Sequence, residues 1–121
     1  MQKPISVVPG KVKPYPGKVV ILVNELSQSN AEYTTMALRT APNATVIGST
    51  TAGADGNVSS IMLPGGIPTM ITGLGVYYPD GRETQRIGIV PDIEVKPTIQ
   101  GIKEGRDELL ERAVQLIETA G

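Results

Sequence analysis

The sequence contains no cysteine, no histidine, no tryptophan and no phenylalanine. The lack of cysteine excludes disulfide bonds and thiol catalysis. The lack of histidine means that any serine nucleophile relying on an imidazole must obtain that base from outside these 121 residues. This second absence therefore limits every catalytic interpretation of the chain.

Long apolar runs and an excess of charge of either sign are also missing. The longest apolar run considered, Val19–Val23, is far below the roughly 20 residues that cross a bilayer, so we expect no membrane insertion by this chain. The 11 basic and 12 acidic residues are interspersed and give a net charge of −1. Without a basic surface, nucleic acid and anionic lipid are poor candidates as partners.

The length and composition predict one domain with a single core. The chain has 121 residues, of which 40% are hydrophobic and 19% are charged. Prolines and glycines crowd the stretch before residue 18, so residues 1–17 are predicted to be an irregular N-terminal segment. Residues 18–121 are predicted to form the domain.

The first half of this domain has the pattern of a strand, a helix and a second strand. Residues 18–23 form a β-branched run that predicts a strand buried on both faces. Ser29 and Glu32 have the spacing of a helix capping box, which predicts a helix over residues 30–40. Residues 45–48 predict the second strand.

The second half predicts an antiparallel pair and a final helix. Residues 59–63 and 68–78 are predicted to be strands on either side of the turn at residues 64–66. Apolar residues recur at helical spacing over residues 106–119, which predicts a helix packed on the sheet. The fold class predicted from these elements is α/β.

Two interpretations of Ser29 remain open on local sequence alone. A serine between a buried strand and a helix start has helix N–H groups beside it, including that of Asn30, and these could stabilise an oxyanion during acyl transfer. The other interpretation is that Ser29 only caps the helix, worth about 1 kcal/mol.

The glycine-rich stretches and single carboxylates predict no cofactor and no metal. The runs at residues 53–56 and 73–75 match neither the Walker pattern nor the dinucleotide fingerprint. Asp55 and Asp80 are isolated carboxylates without clustered ligands. The small residues that follow Gly48 instead indicate a loop whose backbone closely approaches another group.

Four motifs occur in order along the chain: Leu22-Val23-Asn24-Glu25, Ser27-Gln28-Ser29-Asn30-Ala31-Glu32, Val46-Ile47-Gly48-Ser49-Thr50-Thr51-Ala52-Gly53 and Gly88-Ile89-Val90-Pro91-Asp92-Ile93. Together they resemble the tail-specific, or C-terminal processing, serine peptidases and their tricorn-core-like branch. The resemblance implies a ClpP/crotonase-like core of mixed β-sheet with flanking helices. It also implies a serine-type endopeptidase located in the bacterial cell envelope or secreted.

The resemblance assigns roles to particular residues. It implies that Ser29 is the nucleophile, that the Asn30 N–H belongs to the oxyanion hole, and that the partner is a polypeptide substrate. The substrate is expected to lie as an added strand near the loop after Gly48, so Gly48, Ser49, Thr50 and Thr51 are candidate substrate-binding residues.

The chain departs from the Ser-Lys branch at the position of the general base. Ala54 follows Thr51-Ala52-Gly53 where that branch has a lysine, and the spacing of Lys18 and Lys96 recommends neither as a replacement. The tricorn-like branch takes its base from a histidine in an upstream segment. We therefore expect upstream segments of a longer parent protein to complete the site, and the 121-residue chain alone to be inactive.

Two further points follow from the comparison with the tricorn-like branch. In that branch an acidic residue helps orient the site; the matching position here holds Gln85, with Glu83 close by, and the favoured interpretation is that both lie in a solvated loop. The alternative to an enzyme is a non-catalytic peptide-binding module on the same fold, because a fold does not guarantee its usual chemistry.

Overall fold

The computed structural model describes residues 15–119 and shows an α/β arrangement, as predicted. The predicted irregular segment lies mainly outside the described residues, and residues 15–17 contain no helix or strand. None of the described helices is long and apolar enough to cross a membrane. The elements are β1 (Val19–Val23), α1 (Asn30–Leu38), β2 (Ala44–Gly48), β3 (Val58–Leu63), β4 (Ile67–Thr72), β5 (Ile93–Glu94), α2 (Ile99–Glu104) and α3 (Glu108–Glu118).

Three of the strands form a parallel sheet in the order β1-β2-β5. The β1–β2 register runs from Val19 opposite Ala44 to Val23 opposite Gly48. Because parallel strands end at the same edge of a sheet, the loops that follow β1 and β2 are brought together. The strand, helix and strand unit predicted from the sequence is confirmed.

The expectation that β1 is buried on both faces is wrong. Val23 is 5% exposed, but Leu22 on the other face is 38% exposed. β1 is an edge strand of the described sheet, and α3 packs against it from one side. The central strand β2 is the one buried on both faces, since its neighbouring residues Val46 and Ile47 are both fully buried.

Helix α1 starts where its capping signal predicts and ends two residues early. Its last regular residue is Leu38, and the N–H groups of Thr40 and Ala41 donate to carbonyls three residues earlier, which tightens the final turn. Pro42 follows and restricts the residue before it to an extended conformation. The helix packs Met36 into a small core with Val23, Val46 and Ile89.

The antiparallel pair β3–β4 is confirmed, but β4 ends at Thr72 rather than at Tyr78. Gly73 and Gly75 follow at once, and glycine weakens a strand because it has no side chain to pack and loses much backbone entropy. Every residue of β3 is exposed, including Ile61 and Met62. This hairpin therefore projects from the described part of the molecule.

The C-terminal region contains one more helix than predicted. Helix α2 begins after Thr98, whose hydroxyl accepts a hydrogen bond from the Gly101 N–H at 2.9 Å, and it ends at Gly105 in the left-handed region. Helix α3 begins after Asp107, whose carboxylate accepts from the Leu110 N–H at 3.0 Å.

Asp92 accepts from the Val46 N–H at 2.8 Å and pairs with Arg39, so it fixes the start of β5.

Candidate active site

Ser29 occupies a strained turn between β1 and α1. Its φ is 53° and its ψ is −123°, a conformation that costs a non-glycine residue about 1–3 kcal/mol. The residue is exposed, and among the described residues its hydroxyl makes no hydrogen bond that caps the helix. A sharp strand-to-helix turn of this kind projects a serine Oγ toward a ligand. The geometry therefore disfavours the interpretation of Ser29 as a simple cap.

The only other non-glycine residue with positive φ in the described part of the chain is Arg86, at 66°. Its N–H donates to the Gly53 carbonyl at 2.7 Å. Gly53 belongs to the same loop that contacts the Ser29 turn. The two strained residues therefore lie on either side of one loop, and strain of this kind is concentrated at functional sites.

Glu32 joins the serine turn to this loop and is the functional residue that sequence reasoning treated only as a cap. Its side chain is buried, with 1% exposure. Oε1 accepts hydrogen bonds from the Thr51 hydroxyl and from the Gly53 N–H at 2.8 Å. Oε2 accepts from the Ser29 N–H at 3.2 Å and the Ala54 N–H at 2.9 Å. One carboxylate therefore fixes the position of Ser29 against the loop.

Two main-chain hydrogen bonds reinforce the same contact. The Ser29 N–H donates also to the Ala54 carbonyl at 3.2 Å, and the Ala52 N–H donates to the Ser27 carbonyl at 3.0 Å. The loop approaches β1 because Gly48 has φ of 135°, and a Cβ at this position would lie 1.8 Å from the Val23 carbonyl oxygen. This is the close backbone approach that the small residues predicted.

The four candidate substrate-binding residues lie at the start of this loop, and most of them are engaged in internal contacts. Gly48 is buried at the end of β2. The Ser49 hydroxyl donates to the exposed Glu25 carboxylate at 2.7 Å. The Thr51 hydroxyl accepts from the Ile89 N–H at 2.7 Å while donating to Glu32. Thr50 alone of the four is exposed, and the main-chain hydrogen bonds to the serine turn come instead from Ala52 and Ala54.

A cleft of about 620 Å³ opens beside Ser29. Asn30 also lines it, and as the first residue of α1 it has an N–H without an acceptor inside the helix. Tyr33, Leu74 and Tyr77 give the cleft an apolar wall. A larger cleft of about 810 Å³ also reaches Met36, but none of the serine-turn residues line it.

Asp55 lies in the wall of the Ser29 cleft and is 8% exposed. Its Oδ1 accepts from the Gly56 N–H at 2.7 Å. Burial raises the pKa of this carboxyl above its usual value, and the nearby Glu32 charge raises it further, against the opposing effect of the Gly56 hydrogen bond. The sequence placed Asp55 in a loop but did not indicate that it is buried beside the serine.

The residues discussed as possible bases or acids are located as follows. Lys18 donates to the Leu116 carbonyl at 3.1 Å, at the opposite end of β1 from Ser29. Lys96 pairs with Glu94 at 2.8 Å, and this partner raises the pKa of Lys96, which disfavours its action as a base. Gln85 donates its amide to the Asp55 carbonyl at 2.8 Å, so it supports the loop. Among the described residues, no cluster of three acidic side chains could hold a metal ion.

Comparison with known proteins places this arrangement in a family. The family model of Peptidase family S41 matches residues 4–95. The structure is similar to that of a candidate peptidase from Parabacteroides merdae ATCC 43184, with 30% identity over 90% of this chain and a TM-score of 0.81. It is also similar to mature CPAF in complex with lactacystin, with 27% identity over 92% of this chain and a TM-score of 0.73.

A third similarity concerns the fold alone. The tricorn protease aligns with 98% of this chain at 22% identity and a TM-score of 0.74. The chain spans 34% of the Parabacteroides protein, 23% of CPAF and 13% of the tricorn protease. The family match covers more than half of the chain, and the serine turn with its supporting loop lies within the matched residues. The chain therefore belongs to peptidase family S41.

Proposed function

We propose that this chain is the serine-bearing part of a serine-type endopeptidase that forms an acyl-enzyme on Ser29. The observation that supports this most strongly is the strained turn at Ser29, fixed by the Glu32 carboxylate through the Ser29 N–H at 3.2 Å. The Ser29–Glu32 pair forms a capping box, but a cap does not require a strained backbone, and strain of this kind is concentrated at functional sites, which supports a catalytic role. Residues 18–121 form the proposed catalytic-serine subdomain.

The chemistry follows from the position of the serine. Ser29 Oγ attacks a substrate carbonyl carbon, and the resulting oxyanion lies near the start of α1. There the Asn30 N–H and the positive end of the helix dipole stabilise its charge. Removing one such donor from a known oxyanion hole costs about 100- to 1000-fold in kcat. A general base takes the Ser29 Oγ proton during the attack; when the tetrahedral intermediate collapses, the C–N bond breaks and the amine leaves with that proton. Water then hydrolyses the acyl-enzyme and releases the second product.

The general base must come from outside this sequence. The chain contains no histidine, and Ala54 stands where the Ser-Lys branch has its lysine. The Ala54 N–H donates to Glu32, so this position has a structural role instead. These features support assignment to the tricorn-like branch, with an upstream histidine completing the site. The isolated chain is expected to be inactive.

The substrate in this proposal is a polypeptide held as an extended strand near residues 48–55. Thr50 is exposed at the start of this loop, and the Ser29 cleft offers an apolar wall for a neighbouring substrate side chain. From the resemblance to the tail-specific and tricorn-like serine peptidases, we also propose that the parent protein lies in the bacterial cell envelope or outside the cell. Peptide binding is expected to protect residues 48–55 from hydrogen exchange in the full-length protein.

The proposal is tested by labelling the full-length parent protein with a serine-reactive phosphonate probe and mapping the modified residue. Label is expected on Ser29 and is expected to disappear in Ser29→Ala. Ser60→Ala is the matched control, because Ser60 is an exposed serine on β3 and lies in none of the contacts described for the site. Label that persists in Ser29→Ala would refute the assignment of the nucleophile.

A non-catalytic peptide-binding module is the second candidate, and the absence of both histidine and the expected lysine favours it. The two functions differ in their response to the same experiment. An unlabelled but folded full-length protein that still binds peptide would establish the binding module.

A further inference from the structure

Residues 74–78 are hydrogen-bonded along one edge only. Tyr77 lies opposite Glu83 in an isolated antiparallel bridge. The hydrogen bonds to the facing segment come from alternate residues: the Leu74 carbonyl accepts from the Gln85 side chain at 3.0 Å, the Val76 carbonyl accepts from the Thr84 N–H at 3.1 Å, and the Tyr78 N–H donates to the Arg82 carbonyl at 2.8 Å. Alternate residues of a paired chain direct their main-chain groups to opposite edges. Gly75 and Tyr77 therefore direct theirs away from residues 82–85.

The main-chain groups of Gly75 and Tyr77 form a free strand edge. Within residues 15–119, their N–H and C=O groups make no hydrogen bond with another residue, and both residues are exposed. Residues 56–79, which include this edge, carry no charged side chain. An uncovered edge without charged residues is a template for a further strand. This edge is therefore suited to bind an extended polypeptide.

The free edge lies in the wall of the Ser29 cleft. Gly75 and Tyr77 line this cleft together with Ser29. An adjoining cleft of about 550 Å³ shares Met36 and Tyr77 with it and continues to Thr40. The two clefts form one groove between α1 and the segment that contains the free edge, here called the α1 groove. From Ser29 to Thr40 it follows α1 for about 16 Å, the length of about five residues of extended peptide.

The α1 groove is uncharged along most of its length. Tyr33, Ala37 and Thr40 lie on the face of α1 that lines it, and the buried Met36 lies between them. Of the residues that line the groove, Asp55 alone carries a carboxylate, and it is 8% exposed. A charged side chain bound here would lose hydration without gaining an exposed ion pair. The groove therefore suits a polypeptide with large apolar side chains.

We propose that the substrate adds as a strand to the free edge at Gly75 and Tyr77 and continues along the α1 groove, with a large apolar side chain beside Tyr33. The inference rests on the proposed function, because the polypeptide bound at this edge is the one whose carbonyl meets Ser29. It adds a second line of main-chain contact to the one proposed at residues 48–55. Tyr33 is then a residue that determines specificity, since its ring contacts the substrate side chain.

Amide-resolved hydrogen exchange on the full-length Ser29→Ala protein tests the pairing. The probe is an end-capped heptapeptide of leucine, valine and alanine that the wild-type protein cleaves. Saturating peptide should slow exchange at the Gly75 and Tyr77 N–H groups by about tenfold or more, because each becomes a donor to the peptide main chain. The Tyr78 N–H already donates to the Arg82 carbonyl and should keep its rate, so it is the internal reference.

Tyr77→Pro and Tyr77→Ala are the matched variants. Both remove the ring, but only proline also removes the N–H at the free edge. Loss of one main-chain hydrogen bond corresponds to about three- to tenfold in affinity, so KM for the heptapeptide should be higher by that factor in Tyr77→Pro than in Tyr77→Ala, with kcat equal within about twofold. If the proline variant does not fold, the peptide is changed instead, and replacing its amides by esters one at a time should raise KM at every second position.

The role of Tyr33 has its own comparison. Tyr33→Ala should raise KM for the heptapeptide several-fold and should narrow the difference between leucine and alanine at the position that lies beside this ring. Tyr15→Ala is the matched control, because Tyr15 is an exposed tyrosine that lines neither cleft of the groove. Equal effects of the two variants would remove Tyr33 from substrate recognition.

Three results would overturn the docking edge. The first is unchanged exchange at both Gly75 and Tyr77 in saturating peptide, and the second is equal KM in the folded proline and alanine variants. The third is protection of the edge before peptide is added, which would mean that another segment of the parent protein or a second copy covers it. Failure of the proposed function is recognised separately, because Ser29→Ala would then still cleave the heptapeptide. Failure of this inference alone leaves cleavage dependent on Ser29.

Discussion

Replacing Glu32 with glutamine should release the loop from the serine turn. If the glutamine NH₂ replaces Oε1, the Thr51 hydroxyl and the Gly53 N–H lose their acceptor. If it replaces Oε2, the Ala54 N–H loses its acceptor, whereas the Ser29 N–H keeps the Ala54 carbonyl at 3.2 Å. An unsatisfied buried donor costs about 1–3 kcal/mol, and two of them cost about 3 kcal/mol. The side chain is 1% exposed, so water offers little compensation.

The amide protons of Gly53 and Ala54 report this loss directly. About 3 kcal/mol corresponds to a roughly 100-fold fall in their protection from hydrogen exchange. The rate of phosphonate labelling at Ser29 should fall as well, because the nucleophile loses its fixed position. Both are measured on the full-length protein by exchange mass spectrometry and by probe kinetics.

Glu111→Gln provides the matched control for this substitution. Glu111 accepts from the Arg106 guanidinium, and both side chains are about half exposed, so solvent screening should leave the protection of Gly53 and Ala54 unchanged in Glu111→Gln. The reasoning would be refuted if Glu32→Gln left Gly53 and Ala54 protected within threefold of wild type. That result would mean that the carboxylate is dispensable for the loop.

Three further predictions concern stability and solubility. Gly48→Ala places a Cβ 1.8 Å from the Val23 carbonyl oxygen at a φ of 135°, and it should lower the free energy of unfolding by roughly 3 kcal/mol or more. Gly65→Ala is the control, because its Cβ meets open space, and it should cost far less. Equal losses in thermal denaturation would exclude the steric argument. Folding raises the pKa of Asp55, so the protonated carboxyl stabilises the fold. This contribution is fully present below about pH 4, the usual pKa of aspartate, and is lost as the pH rises through the pKa in the folded state. The Tm of Asp55→Asn relative to wild type should therefore increase with pH over this range, and a constant difference would contradict the pKa shift. Ile61→Lys on the exposed hairpin should change the free energy of unfolding by no more than about 0.5 kcal/mol if β3 is exposed in the full-length protein as well. A large loss of stability there would show that other segments cover β3.

Much of the fold could be predicted because it depends on local sequence. The apolar run before Asn24, the capping pair and Pro42 specify β1, α1 and β2 within one or two residues. Helix α2 was missed because its six residues carry no long apolar pattern, although Thr98 and Gly105 are good start and stop signals. The burial of β1 was misjudged, because an apolar run does not reveal whether a strand lies at the edge or the centre of a sheet.

The candidate site also contains residues that the local sequence indicated and residues that only tertiary contacts reveal. Ser29 was singled out by a motif, but the contacts of Glu32 and the burial of Asp55 were not predicted, since they depend on residues far apart in sequence. Glu32 meets Gly53 across 21 positions, and Gln85 meets Asp55 across 30. No local pattern of propensity or spacing encodes such contacts.

The sequence by itself determined that any imidazole base for a serine mechanism lies outside these 121 residues, because composition does not depend on folding and there is no histidine to place. It also singled out Ser29 as the candidate nucleophile, through its motif and not through the strand and helix signals alone. Only the tertiary structure decided that Glu32 holds the serine turn and that Asp55 is buried in the wall of the cleft beside Ser29. Those two facts arise from the parallel pairing of β1 and β2, which brings the loops after both strands to one edge of the sheet.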